Sequence, residues 1–221
     1  MNFRLALLAI KELGFKPIIL NIIYRLGNIS GFFRLITPPS SYSHPKNKGL
    51  FSTQETTNIN QLLQATRPGT IIKRQIIETA DEVCRGTVQL YGAIPTRLQF
   101  NQKHKSHWSC YESGKMEIGS ADVKDIWEPA RFSWVFILGQ AYHLTHNEKY
   151  PAFFWEQVIF FLKANPPNVG PHWMNGQEIA LRLIAFIFAR QVFHDSLHST
   201  TDKTSQPVSY THLTLPTKRI V

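Results

Sequence analysis

Between Tyr150 and Ala164 the sequence runs YPAFFWEQVIFFLKA, and no other stretch constrains the chain as much. Wound into a helix, it turns Phe153, Phe154, Trp155, Val158, Ile159, Phe160, Phe161 and Leu162 toward nearly every direction. A surface helix keeps its apolar residues to one stripe, so this segment has to be buried on more than one side. Two neighbours of helical length share that character, 131–145 before it and 176–194 after it. Pro129 and Pro151 stand near the first turns of their helices, where the missing N–H costs nothing, and Asn165-Pro166-Pro167 closes the middle helix. Successive antiparallel helical hairpins packed side by side satisfy three such segments.

Upstream, a second helical block is expected from 54 to 85 with Pro68-Gly69 as its internal turn. Ile71, Ile72, Ile76, Ile77 and Val83 approximate one face of it, and Gly86 stands where a C′ glycine ends a helix. Thr87–Tyr91 and Arg97–Phe100 suggest a small hairpin or extended connector near 87–101, and the polar run 101–124 suggests an irregular loop. Residues 38–53 form a linker by composition, opening with Pro38-Pro39-Ser40-Ser41. From Ser196 the periodicity is lost, so 196–221 reads as a disordered tail and 207–221 (PVSYTHLTLPTKRIV) as a non-native adaptor. The fold class is mostly α.

Residues 1–37 read as a basic amphipathic helical lead-in, broken at Gly14 and restarted by Pro17. It carries Arg4, Lys11, Lys16, Arg25 and Arg34 against Glu12 alone, a local charge of 5 − 1 = +4. Its uncharged runs fall far short of the ~20 residues a spanning helix needs, and no small-residue site follows Leu5–Ile10 to make it a cleavable signal. Such a segment either packs on the domain or attaches peripherally to an anionic membrane surface.

With 43% hydrophobic and 18% charged residues the chain is not of the disordered class. Its net charge of +9 suits a polyanion. The basic residues follow no nucleic-acid-binding motif, and no nucleic-acid partner is assigned. His104, His107 and Cys110, with Cys84 as a conceivable fourth, fall short of reliable zinc spacing, so no metal and no cofactor is assigned. His143 with His146, and His194 with His198, read as surface or helix-end histidines.

Two segments carry chemistry. One is Asp125-Ile126-Trp127-Glu128-Pro129-Ala130-Arg131-Phe132; the other runs from Asn165-Pro166-Pro167 through Gly170-Pro171-His172-Trp173 to Glu178 and Arg182. Each is a Trp-bearing loop feeding a buried helix with a carboxylate and an Arg early in it. The pairs Glu128–Arg131 and Glu178–Arg182, at i,i+3 and i,i+4, share helical faces. A Trp platform beside an Arg fork suits an acidic sugar. The alternative is structural: ion pairs tying loop to helix, and Trp127 and Trp173 as core anchors. Glu128 with Glu178 is also the one plausible carboxylate pair for a glycosidase, which needs the two roughly 5–10 Å apart and free.

In order, and with their intervening helix, these segments resemble the N-terminal helical domain of heparinase II/III-like polysaccharide lyases, in which W-E-P-x-R-F precedes N-P-P-x-x-G-x-N-W and a helical E-x-x-x-R. The match runs from about Gly86 to Phe193; His172 stands where members commonly have Asn. The resemblance implies an incomplete α/α toroid over 54–195, a following β-sandwich domain missing from this chain, and β-elimination on a uronic-acid-containing acidic polysaccharide. It implies a cleft lined by Trp127, Arg131, His172, Trp173, Glu178 and Arg182; it allows a periplasmic or secreted location and does not fix the compartment. The family's Asn-Asn-His-Leu segment has no counterpart here, so no catalytic residue is carried over and the chain is expected to be an inactive fragment. The alternative is a non-catalytic module that binds acidic polysaccharide or a membrane surface.

Overall fold

A computed structural model describes residues 12, 14–39, 68–92, 94–100, 104–119, 122–200, 203, 204 and 207. The expected first lead-in helix, the linker beyond Pro39, residues 54–67 of the second block and the 208–221 tail lie outside them. The described chain is mostly helical, in the order α1 (Phe15–Ile29), α2 (Phe32–Ile36), α3 (Thr70–Cys84), β1 (Thr87–Leu90), β2 (Ile94–Arg97), α4 (Trp108–Glu112), α5 (Lys124–Ala130), α6 (Val135–Thr145), α7 (Lys149–Ala164), a 3-10 turn (Pro171–Trp173) and α8 (Gly176–Val192).

The middle of this order is a helical body built around α6, which touches α3, α7 and α8. α7 returns antiparallel to α6. Tyr142 at the end of α6 meets Glu148 across the connection, while Phe161 near the end of α7 reaches Phe132 just before α6. His146 takes the left-handed conformation (φ 52°) that reverses the chain between them. α8 then runs antiparallel to α7, Phe154 early in α7 meeting Phe193 after α8, and so parallel to α6: Arg182 bonds Ala130 O near the start of both helices, and Phe193 packs on Tyr142 at their ends. The eleven residues from Asn165 to Asn175 join the end of α7 to the start of α8, both of which lie by the start of α6. Gly139 sits where α6 and α8 close. A Cβ there would stand 2.7 Å from the Phe188 ring.

The helix expected over 131–145 begins four residues later, at Val135, and a separate short helix precedes it. α5 ends at Ala130, residues 131–134 turn, and α6 begins at Val135. The break is made by Phe132, fully buried at φ 57°, a conformation that bulky residues rarely adopt. Its ring is the hub of the core, stacked on Phe100 and in contact with Trp134, Phe154, Phe161 and Phe186. Burial of that ring offsets the unfavourable backbone. Pro129 consequently lies inside α5 and not at the start of the next helix, and its carbonyl accepts the Trp134 indole N–H at 3.1 Å.

Other boundaries shift as well. Gly86 does end α3, at φ 85° with its N–H on Val83 O. The hairpin pairs Thr87 with Arg97 and Leu90 with Ile94, so its second strand is 94–97 rather than 97–100. The stretch expected to be irregular holds α4, because Trp108 and Tyr111 have core to fill. Ile71 and Ile72 point to solvent and leave Ile76, Ala80 and Val83 to hold α3 on the body. Ser196 and Ser199 do not belong to a loose tail: Ser196 donates to Glu148 at 2.6 Å, and Trp155 donates to Ser199 at 2.9 Å.

Candidate functional site

The two Trp-bearing segments meet. α5 delivers Trp127 and Glu128, the turn after it delivers Arg131, the 3-10 turn delivers His172 and Trp173, and the first turns of α8 deliver Glu178 and Arg182. Trp127 donates its indole N–H to Pro171 O at 3.0 Å. Arg131 grips Glu178 with a two-pronged pair, Nε to Oε2 and Nη2 to Oε1, both 2.7 Å, and its Nη1 donates to Glu128. Arg182 donates Nε to Ala130 O at 2.8 Å and lays its guanidinium over the Phe161 ring at 4.7 Å and the Trp173 ring at 5.4 Å.

The junction therefore differs from the expected open cleft. His172, Trp173, Glu178 and Arg182 are all buried; Trp127, Glu128 and Arg131, each half-buried, keep a face toward solvent. The pairing also differs. Glu178 takes its fork from Arg131, 47 positions away in the sequence, while Arg182 is engaged by Ala130 and two aromatic faces. Glu128 and Glu178 offset Arg131 and Arg182 in charge, which makes a buried cation tolerable here. Glu178 in the first turn of α8 further suits the positive end of that helix. Both carboxylates are held by the same guanidinium, which removes the glycosidase arrangement.

His172 is a neutral group in the folded state. Burial, and then the charges of Arg182 and His104, hold its imidazole well below its ordinary pKa. Its ring stands edge-on to Phe161 at 5.1 Å, and its Nδ1 finds no hydrogen-bond partner among the described residues. His104, also lowered by burial, packs against Gly170, where a Cβ would come within 2.9 Å of it. Gly170 at φ 86° thus lets the 104–107 segment lie against the loop that carries His172. The contact is sealed by a bridge between His107 and Val169 and by the Gly170 N–H on Ser106 O.

The histidine-cysteine run is dispersed. Nδ1 of His107 accepts the Ser109 N–H and caps α4, so Nε2 is the nitrogen that donates to Thr37 O at 2.8 Å. Cys110 Sγ accepts from Arg34, and Cys84 lies on α3, its thiol pushed up to about 11 by burial first. Among the described residues no three His, Cys, Asp or Glu side chains gather as a metal site.

One cluster was not read from the sequence: Asp81 accepts from Lys149 at 2.8 Å and from the Tyr150 hydroxyl at 2.9 Å, tying α3 to the start of α7. Burial works against ionisation of Asp81, but the two hydrogen bonds outweigh it and lower its pKa. Its partners are 68 and 69 positions away, beyond any local spacing rule.

No family model, curated protein or solved structure matches the chain.

Proposed function

We propose that this chain is the N-terminal helical portion of a heparinase II/III-like polysaccharide lyase, and that its Trp127–Arg131 edge contacts an acidic, uronate-bearing glycan without cleaving it. The observation that carries this reading is the solvent-facing pair. A partly buried indole sits next to an arginine whose orientation is fixed by Glu128 and Glu178. A sugar ring stacks on the indole, and its carboxylate meets the outer face of the guanidinium. The toroid part of the proposal is supported by α6 and α8 lying parallel with α7 returning between them in sequence, the repeat from which two concentric rings of helices are built.

β-Elimination removes the proton at C5 of the uronate, moves that electron pair into a C4=C5 double bond, and expels O4, which takes a proton. It needs a carboxylate neutraliser, a base and a proton donor around one sugar. Of the gathered residues, His172 is buried beside Phe161 and Glu128 and Glu178 are occupied by Arg131. The proposal therefore gives this junction binding and support, and assigns the elimination to other groups.

The purified chain is expected to bind heparan sulfate or alginate in a salt-sensitive manner and to release no unsaturated uronate, read by ultraviolet absorbance. Trp127→Ala should weaken glycan binding about ten-fold, the equivalent of about 1.4 kcal/mol. Product formation that His172→Ala abolishes would place a complete active site here. Glycan binding untouched by Trp127→Ala would remove the edge from the proposal.

A further inference from the structure

α1 has no buried residue along its fifteen positions. Phe15, Ile19, Ile22, Ile23, Leu26 and Ile29 follow one another at helical steps of four, three, one, three and three. At 100° per residue they fill one stripe about 120° wide. All six are exposed, from 49% at Ile23 to 72% at Ile29, and α2 extends the surface with Phe32 and with Leu35 at 80%. Eight large exposed apolar side chains on two adjoining helices mark an interaction site.

The opposite face of α1 is where the body holds it. The Tyr24 hydroxyl donates to the Glu112 carboxylate, and its ring packs on Phe33 at 5.1 Å. Phe33 is buried, 5.6 Å from the Trp108 ring. Gly27 lets this happen: a Cβ there would stand 3.0 Å from the Phe33 ring. Thr37 then meets His107, and Asn168 donates to Pro38 O at 3.1 Å. The stripe is thus turned outward by a fixed set of contacts.

Charge decides what covers it. On the same wheel Lys16 falls on one border of the stripe and Arg25 on the other, both exposed, with Arg34 exposed on α2. Residues 14–39 contain no acidic side chain. A second copy of this chain would set these cations against their own like, and a soluble polyanion has nothing to place against the isoleucines. A bilayer bearing anionic headgroups meets both needs, with acyl depth for the stripe and phosphates at its rims. No described helix is long and apolar enough to cross a membrane, so the contact is one of lying on the surface.

We propose that α1 and α2 form a docking surface for an anionic lipid bilayer, with the Phe15–Ile29 stripe entering the headgroup–acyl boundary and Lys16 and Arg25 on the lipid phosphates. This proposal does not rest on the glycan reading. The test is co-sedimentation of the full chain with vesicles of phosphatidylcholine alone or with phosphatidylglycerol added. The chain should partition onto the anionic vesicles, and raised salt should weaken the binding. Ile22→Asp with Leu26→Asp, at positions that carry no core contact, should reduce partition at least about ten-fold with an unchanged thermal melt. Lys16→Glu with Arg25→Glu should bring anionic vesicles down to the level of neutral ones. Soluble heparin binding should be unaffected by the Asp pair, which separates this surface from the Trp127–Arg131 edge.

Absence of partition, or equal partition onto neutral and anionic vesicles, overturns the proposal. So does sedimentation showing a dimer that the Asp pair converts to monomer while vesicles are ignored, since the stripe would then belong to a second copy.

Discussion

Arg131 holds three carboxylate oxygens with one guanidinium, two from Glu178 and one from Glu128. Hydrogen bonding from Glu178, more than any other contact, keeps its pKa above the usual arginine value despite burial. Arg131→Ala would leave Glu178, 2% exposed, as a buried carboxylate without its fork. Breaking a buried pair from one side costs about 3–5 kcal/mol, and that is the loss expected in urea unfolding. Arg131→Lys should recover only part of it, because a single ammonium cannot span both Glu178 oxygens. His172 adds a pH dependence. Its folded pKa lies well below 6.5, whereas in the unfolded chain it titrates near 6.5. Below that pH the unfolded state takes up a proton that the folded state refuses, so stability is held above it and falls as pH drops. One such proton gives a slope of at most about 1.4 kcal/mol per pH unit. His172→Gln should flatten the urea-midpoint profile between pH 6.5 and more acidic values relative to the parent chain. The sequence placed the two motifs together and paired Glu128 with Arg131 as the fold does, but it mispaired Glu178. Spacing rules see only one helix at a time, so they offered Arg182 as the partner of Glu178. The partner that answers is brought in by the fold.

At the level of elements, α7 and α8 were legible to within one or two residues because they are apolar in many directions and sharply bounded by Asn165-Pro166-Pro167 and Val192-Phe193. The break between α5 and α6 was not. A left-handed position normally announces itself as Gly or Asn, and here it is Phe132, whose conformation is decided by the five aromatic rings it meets. The antiparallel alternation of α6, α7 and α8, which sets α8 parallel to α6, was legible because short connectors favour antiparallel neighbours. Gly139 marks the tightest point of that pair. Gly139→Leu must displace Phe188, and also Val192, whose Cγ1 lies 3.1 Å from the Cβ position. Overpacking of this kind costs about 1–3 kcal/mol, read as a lowered melting temperature with helical circular dichroism retained at low temperature.

Across the whole molecule, attachment is uneven. The helical body shares one aromatic core, whereas α1 and α2 join it through Phe33, Tyr24 and the Thr37–Pro38 segment. Regions with few buried apolar contacts open at lower free energy than the core. Amide hydrogens of α1 should therefore exchange far faster than those of α8 in native-state hydrogen exchange, and Phe33→Ala should speed α1 further while leaving α8 nearly unchanged. Comparable protection in both helices would mean that the N-terminal arm unfolds only with the body. Apolar patterning made the helical class legible, but it could not say which apolar faces would be covered. That depended on Gly27 and Phe33 closing α1 onto α2 and leaving the Ile-rich side outward.

The seam between 104–107 and 168–170 joins these scales. Thr37 and Pro38 are bonded to the two segments of that seam, and the same loop continues directly into His172 and Trp173 and receives the indole of Trp127. The outward stripe and the Trp127–Arg131 edge are therefore mounted on one bracket. With the stripe laid on a sheet of lipid, the edge stands at a set height and tilt above it. A polymer anchored in that sheet is then met by lateral diffusion, and the rate of encounter follows its surface density in place of its concentration in solution.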